Sequence, residues 1–313
     1  MSFFQSEKYY NLLKGLPHIE PFIFRPHNSN GDLVNLITGI HYNYISAIKR
    51  LFASRIVIIG EPASATKLQS NIDWQFRKQT KWNNSIYTEL RLIEPPKNLN
   101  FIAQLPYSFV SNYMNILVDT TLSPEKLFSN LSNSKKRQVS SSLNAGAVVR
   151  PAQSEEEVKD FYKITNELYK KKIKKPLIPQ EVFLRIFRDK SLGEVLLVYF
   201  DNKVVGGMLC PFYEKDEIYE WYIASLDLEM KTYKVYPSVL VTWEVIKYAS
   251  ENGFRQFNFM GAGKQSNYYG VREFKMQFGG KLVEAPRYFF IHKPLLYKLG
   301  KFAIRMGLGY RFI

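Results

Sequence analysis

Hydrophobic and polar positions alternate along the first third of the chain in the way that β-strands require. Apolar, β-branched runs that end at Pro, Gly, Asn or Asp predict strands over residues 18–26, 31–43, 54–62 and 84–96. The segment 64–82 is predicted to be helical. This part of the chain therefore indicates a sheet.

A second region begins with a predicted strand at 113–121. Ser123 and Pro124 then form a typical helix start, because Ser caps free amides and Pro suits the first turn. The basic segment 134–149 predicts another helix, which ends at Ala145–Gly146 and leads into a short strand.

The second half shows two helices, three strands, a helix, a strand, a short helix and a last strand. Ser154 and Glu157 form a capping box at its start, and Asp201–Asn202 predicts a tight hairpin turn. The predicted bounds are 154–173, 179–188, 193–201, 203–213, 216–226, 236–252, 255–261, 270–280 and 281–293.

Length and composition suggest two folded domains. A chain of 313 residues is long for one core, and 46% hydrophobic residues exclude a disordered protein. We expect an N-terminal domain over residues 1–150 and a C-terminal domain over residues 151–313.

The net charge of +15 favours polyanionic partners such as RNA, anionic lipid headgroups or a diphosphate-bearing substrate. Cys210 is the single cysteine, so no internal disulfide is expected, which fits a reducing compartment. No signal-peptide pattern and no run of about 18 apolar residues are seen, which predicts a cytoplasmic protein. The histidines are scattered, and no metal site is predicted.

Three segments carry a resemblance to known families. Residues 113–164, "YMNILVDTTLSPEKLFSNLSNSKKRQVSSSLNAGAVVRPAQSEEEVKDFYKI", and the closing "FNFMGAG…GVREFKMQFGGKLVE" resemble the Fem family of peptidoglycan-bridge aminoacyltransferases. The segment 236–261 is similar to the BioF2-type acyltransferase domain. The resemblance spans about residues 30–290. It implies an α/β (α+β) fold of two tandem GNAT-like N-acyltransferase domains, with mixed central sheets flanked by helices.

Lys275 is the catalytic residue that this resemblance implies. Acyl transfer to an amine passes through a tetrahedral oxyanion, and a lysine between Phe274 and Phe278 would be partly desolvated and strongly attractive to it. The alternative is a solvated lysine at a helix end. We expect Lys275→Met to lower transfer and hardly change stability.

Four further residues are predicted to contact substrate, namely Asp119, Arg137, Tyr222 and Phe274. Arg137 matches an arginine that recurs in the Fem family, and Asp119 ends a strand. The alternatives are a turn for Asp119, a solvated basic helix for Arg137 and core packing for Tyr222.

Gly261, Gly263, Lys264 and Gly279 are predicted to bind the acyl donor, because exposed backbone amides and a cation suit a phosphate or carboxylate. A plain loop and a helix stop are the alternatives. The segment 225–239, "SLDLEMKTYKVYPSV", has no glycine where a GNAT enzyme cradles the pyrophosphate of CoA. This departure disfavours an ordinary CoA enzyme and suits a donor such as aminoacyl-tRNA, while acyl-CoA and acyl-carrier protein stay open as alternative donors. No bound cofactor is predicted.

These observations predict an acyl- or aminoacyltransferase that forms an amide on a primary amine, with a peptidoglycan precursor as acceptor and aminoacyl-tRNA as donor. One alternative is a BioF2-like N-acyltransferase that uses acyl-CoA or acyl-carrier protein. The other is a non-catalytic protein that binds RNA or a membrane surface.

The segment 292–313 is predicted to be a basic amphipathic helix. Its apolar face carries Leu295, Leu299, Phe302 and Met306. It would either pack on the protein's own core or contact an anionic membrane at the inner face.

Overall fold

The computed structural model describes residues 2–24, 37–42, 54–61, 85–97, 107–174 and 177–305. The chain forms two compact units, Met1–Tyr113 with Glu284–Ile313, and Met114–Val283. The predicted boundary at residue 150 falls inside the second unit, because the strand Val148–Pro151 pairs there with the strand Gly193–Phe200.

The strands are β1 (Ile19–Phe24), β2 (Ile37–Tyr42), β3 (Arg55–Ile59), β4 (Tyr87–Arg91), β5 (Phe109–Ser111), β6 (Met114–Asp119), β7 (Val148–Pro151), β8 (Gly193–Phe200), β9 (Lys203–Tyr213), β10 (Glu217–Tyr219), β11 (Tyr222–Ser225), β12 (Gln256–Asn258), β13 (Lys281–Glu284) and β14 (Arg287–Ile291). The α-helices are α1 (Glu7–Leu13), α2 (Pro124–Asn130), α3 (Asn133–Asn144), α4 (Glu155–Leu168), α5 (Gln180–Arg188), α6 (Asp227–Met230), α7 (Pro237–Glu251), α8 (Gly270–Met276) and α9 (Pro294–Arg305).

The first unit is built on a six-stranded sheet in the order β1-β2-β3-β4-β14-β5. Only β3 and β4 pair in parallel among its described ladders. One face is apolar, and its buried residues are Phe24, Ile56, Ile58, Leu90, Leu92, Tyr288 and Phe290. The buried Gln5 side chain donates to the carbonyls of Thr38 and Ile59, which ties the N-terminal segment to this sheet.

The other face of this sheet carries a buried charge cluster. Glu89 lies 2.9 Å from Nε of Arg91 and 3.0 Å from Nη1 of Arg287. Burial alone would raise the pKa of Glu89, but the two guanidinium groups outweigh it and lower the pKa to about 2. Glu89 is therefore a structural anion of the first unit.

The second unit is built on a mixed eight-stranded sheet in the order β13-β6-β12-β10-β9-β8-β7, with β11 paired to β9. The β8–β9 hairpin turns at Asp201 and Asn202, whose φ angles of 49° and 59° are those of a two-residue hairpin turn. The predicted hairpin is confirmed.

Helix α7 packs against this sheet with nearly its whole circumference buried. Val239, Leu240, Trp243, Ile246 and Ala249 are among its buried residues, and they match the predicted apolar face. Burial extends beyond that face, because the helices α2, α3 and α6 also contact α7.

The mixed sheets flanked by helices confirm the predicted fold class. The predicted helix at 64–82 lies outside the described residues. The predicted last strand at 281–293 is two strands, of which β13 joins the eight-stranded sheet and β14 the six-stranded one.

Helix α9 forms within the segment predicted to be amphipathic, and Leu295, Leu299 and Phe302 expose 77%, 54% and 64% of their surface. Met306 lies outside the described residues. In the described part of the chain, every helix is too short or too polar to cross a bilayer.

Candidate active site

The candidate site lies where two adjacent parallel strands of the second unit stop pairing. β10 and β12 pair from Glu217–Gln256 to Tyr219–Asn258. Beyond this point the amide of Trp221 donates to Leu209 on β9, whereas the amide of Phe259 donates to Ile116 on β6. We call the end of this pairing the fork. Ligands of open α/β sheets bind at such carboxyl ends of neighbouring strands.

Lys275, on α8, occupies the fork and bridges its two sides. Its Nζ lies 2.8 Å from Oε1 of Glu220 on one side. On the other side it donates to the carbonyls of Phe259 at 2.7 Å and Gly261 at 2.9 Å. Only 8% of Lys275 is exposed, so the alternative of a solvated lysine is wrong.

Glu220 is the buried counter-charge of Lys275, with 5% of the residue exposed. Burial raises the pKa of its carboxyl group, and the Lys275 ammonium partly offsets that rise. Among the described residues, Oε2 of Glu220 has no hydrogen-bond partner. The fork therefore contains an ion pair with one unused acceptor.

The aromatic neighbours of Lys275 differ from the prediction. The ammonium that lies over the ring of Phe274, at 4.1 Å, belongs to Lys135 of α3, which also lies 5.8 Å from the ring centre of Phe278. The Lys275 ammonium instead lies 5.3 Å from the ring of Phe259. The helical turn that separates Phe274 from Phe278 directs both rings toward α3 and the side chain of Lys275 toward the fork.

The loop after β12 contains three of the residues predicted to bind the donor. Arg272 donates to the carbonyls of Ala262 and Lys264, while Lys275 holds the carbonyl of Gly261. Gly263 has φ of 76°, and the ring of Tyr269 would lie 2.6 Å from any Cβ there, so only glycine fits.

Asn258 holds the start of the same loop by a hydrogen bond. Its Oδ1 accepts from the amide of Met260, which has a φ of 59°, at 2.8 Å. Its Nδ2 donates to Glu217 at 2.7 Å, and it accepts from Asn115 at 2.7 Å. The backbone beside Lys275 is thus fixed by a buried polar network.

Two predicted residues lie outside the fork. Asp119 is exposed and accepts from the amide and hydroxyl of Thr121, and these hydrogen bonds lower its pKa, as expected for a turn. Gly279 has φ of 80°, and a Cβ there would lie 2.8 Å from Asn130 of α2. The close approach at Gly279 therefore serves helix packing.

Arg137 lies in a basic cleft of about 630 Å³ beside α3. The cleft is also lined by Lys136, Tyr233 and Lys234. Tyr222 begins β11 at the fork, and its ring lies 5.7 Å from that of Tyr169 and 5.5 Å from that of Phe183. The binding roles of Arg137, Tyr222 and Phe274 stay predictions.

The start of α7 lies next to this cleft and is capped by the protein itself. Oδ1 of Asp227 accepts from the amide of Ser238 at 3.0 Å, and the hydroxyl of Ser142 accepts from the amide of Tyr236 at 2.9 Å. A carboxylate that holds a helix N-terminus disfavours a second anion at the same amides.

Comparison with known proteins identifies a family for one part of the chain. Residues 202–305, which contain Glu220 and Lys275, match the model of the FemAB family. The matched segment and the mixed α/β fold together indicate an acyltransferase. No curated protein sequence matches this chain.

Solved structures share the fold of this chain. FemX has a TM-score of 0.66 and 14% identity, over 95% of this chain and 94% of FemX. L-PGS from Bacillus licheniformis has a TM-score of 0.59 and 12% identity, over 97% and 92%. A tandem GNAT protein from the clavulanic acid biosynthesis pathway has a TM-score of 0.56 and 9% identity, over 88% and 84%.

Sequence reasoning did not find Glu220, Lys135 or Arg272. Glu220 carries a detectable signal, since an acidic residue inside the aromatic strand "IYEWYI" must be paired if it is buried. Lys135 and Arg272 carry no such signal, because cations in helical segments are ordinarily exposed and nothing in the local sequence distinguishes these two.

Proposed function

We propose that this acyltransferase moves an aminoacyl group from aminoacyl-tRNA to a primary amine of a peptidoglycan precursor. The observation that carries the proposal is the buried cation of Lys275 at the fork, inside the segment that matches the FemAB family. A buried cation stabilises a tetrahedral oxyanion far more than a solvated one does.

The reaction needs positioning and charge stabilisation from the protein. The acceptor amine forms a C–N bond at the ester carbonyl, the C–O bond to the tRNA ribose breaks, and the amine proton reaches the leaving oxygen directly or through solvent. Lys275 faces the oxyanion that forms between these steps. The rings of Trp221 and Tyr222, whose centres lie 5.4 Å apart, follow Glu220 directly in the chain.

Two features support tRNA as the donor. The cleft beside α3 offers Lys136, Arg137 and Lys234 to a phosphodiester backbone. The amides before and within the start of α7, which would cradle the pyrophosphate of CoA in an ordinary GNAT enzyme, are held by Asp227 and Ser142. The net charge of +15 favours the same choice.

The test is a transfer assay with purified protein, tRNA charged with labelled amino acids, and a nucleotide-linked peptidoglycan precursor. We expect a labelled amide product that disappears when the tRNA is digested with RNase. Transfer from acyl-CoA or acyl-carrier protein and none from tRNA would refute the donor assignment. Labelling of phosphatidylglycerol instead of the precursor would refute the acceptor assignment.

A matched pair of exposed cations tests the cleft. Arg137→Glu should weaken tRNA binding at least tenfold and flatten its salt dependence, because a phosphate contact is lost and a repulsion added. Lys203→Glu changes the charge equally on the β8–β9 hairpin and should have little effect. Equal effects of the two variants would mean that binding follows net charge and not the cleft.

A further inference from the structure

Glu220 lies at the fork and is anchored on both sides. Its amide donates to the carbonyl of Asn258 at 2.9 Å, which is the last rung between the two strands. The amide of the next residue, Trp221, donates to Leu209 at 3.1 Å. The backbone of Glu220 is thus fixed between β12 and β9, and its carboxylate has a defined place.

Lys275 has no hydrogen-bond donor left over in this arrangement. An ammonium group carries three N–H bonds, and those of Lys275 meet Glu220, Phe259 and Gly261. For one N–H to reach a substrate oxyanion, one of these three acceptors must be exchanged. The ion pair with Glu220 is the strongest of the three and is the contact expected to persist.

The second oxygen of Glu220 suits it to this exchange. Oε2 is buried and, within the described residues, accepts no hydrogen bond. An unused acceptor in a buried position costs stability, which calls for an explanation in function. An ammonium can turn from Oε1 to Oε2 and stay paired while it releases a backbone carbonyl.

We propose that Glu220 is a positioning residue for the transfer reaction, which keeps the Lys275 ammonium in the fork while one of its backbone contacts is exchanged for the oxyanion. The inference rests on the proposed function, since it assigns Glu220 a part in the same reaction. Glu220 acts through Lys275 and does not itself touch the reacting atoms.

Kinetics of four variants test the proposal, each corrected for its folded fraction. Glu220→Gln should lower kcat about ten- to a hundredfold with little change in KM, because Lys275 acts on the transition state only. Glu220→Asp, which keeps the charge, should recover part of this loss. Lys275→Met combined with Glu220→Gln should be no slower than Lys275→Met alone, as for residues that act as a unit. A Glu220→Gln variant with the kcat of wild type, or losses that multiply, would overturn the proposal.

A second measurement does not depend on activity. Lysine-selective NMR should show a slowly exchanging Lys275 ammonium signal, identified by its loss in Lys275→Met. We expect this signal in wild type and Glu220→Asp, and its loss or a large shift in Glu220→Gln. Glu244→Gln is the control, since Glu244 also pairs with a lysine in the second unit but lies on α7.

The two measurements separate two kinds of failure. If the wild-type protein transfers no aminoacyl group but the Lys275 signal is lost in Glu220→Gln, the proposed function is refuted. The anchoring of Lys275 by Glu220 is then still supported. An unchanged signal in Glu220→Gln would refute the positioning role whatever the activity.

Discussion

Removal of Lys275 alone should cost more stability than removal of both members of its ion pair. The perturbation is Lys275→Met, alone and combined with Glu220→Gln. The two charges lie 2.8 Å apart, and only 9% and 4% of their side chains are exposed. The expectation from the sequence, that Lys275→Met hardly changes stability, does not fit this burial.

The magnitude follows from what each variant leaves behind. Lys275→Met leaves a buried carboxylate without its counter-charge, a change that costs about 3–5 kcal/mol. It also removes the donor to two backbone carbonyls, each of which costs on the order of 1–3 kcal/mol when it is buried and unsatisfied. The double variant leaves the carbonyls unsatisfied but no unpaired charge. It should therefore recover roughly 2–3 kcal/mol relative to Lys275→Met.

Urea unfolding at pH 7, followed by far-UV circular dichroism, measures the stability of wild type, Lys275→Met, Glu220→Gln and the double variant, which form a double-mutant cycle. The losses in free energy of unfolding of the two single variants should add up to at least about 2 kcal/mol more than the loss of the double variant. Additivity within about 0.5 kcal/mol would refute the reasoning, because it would mean that the two side chains do not interact in solution. The slope m should stay constant, which shows that the unfolded state is unchanged.

Glu89 has a pKa of about 2, so its contribution to stability is present above pH 4.5 and is lost as the pH falls from 4.5 toward 2. The free energy of unfolding should fall by about 3 kcal/mol over this range, and Glu89→Gln should remove this pH dependence. Gly279→Ala should cost roughly 1–3 kcal/mol more than Gly253→Ala in urea unfolding, because both positions have positive φ but only the first meets Asn130, and equal costs would contradict the packing argument. Lys135→Met should change stability by no more than about 1 kcal/mol, since no ion pair of the described residues includes Lys135 and its ammonium donates only to the amide oxygen of Gln138. A loss as large as that of Lys275→Met would show that the ring contacts matter more.

Local signals in the sequence predicted most elements of the second unit. The Asp201–Asn202 hairpin turn and the helix cap at Ser154 depend on neighbouring residues alone, and both form. The predicted capping box is incomplete, because the carboxylate of Glu157 accepts from the amide of Gln153 and not from that of Ser154. The division of the chain was not predictable in this way. Strand β14 pairs with β4, about 200 residues earlier in the chain, and no local pattern reports such a pairing.

The candidate site likewise contains one residue that the sequence predicts and a partner that only the fold brings near. Lys275 was found through a resemblance in a continuous segment, and the structure adds its burial. Its partner Glu220 lies 55 residues earlier on another strand, so only the fold brings the two charges together. The short turn of α8 decides that Phe274 faces Lys135 instead of Lys275, and side-chain direction on a seven-residue helix depends on tertiary packing.

The insertion of β14 between β4 and β5 affects the order in which the chain can fold as it is synthesised. The second unit is continuous, so it is complete once residue 283 has left the ribosome. The first unit must wait, because its sheet lacks an inner strand until residues 287–291 appear. During that interval β4 presents an unpaired edge, which is a site for wrong pairing between nascent chains. Translation speed in the stretch of the message that encodes residues 284–291 should therefore influence the yield of the first unit far more than that of the second.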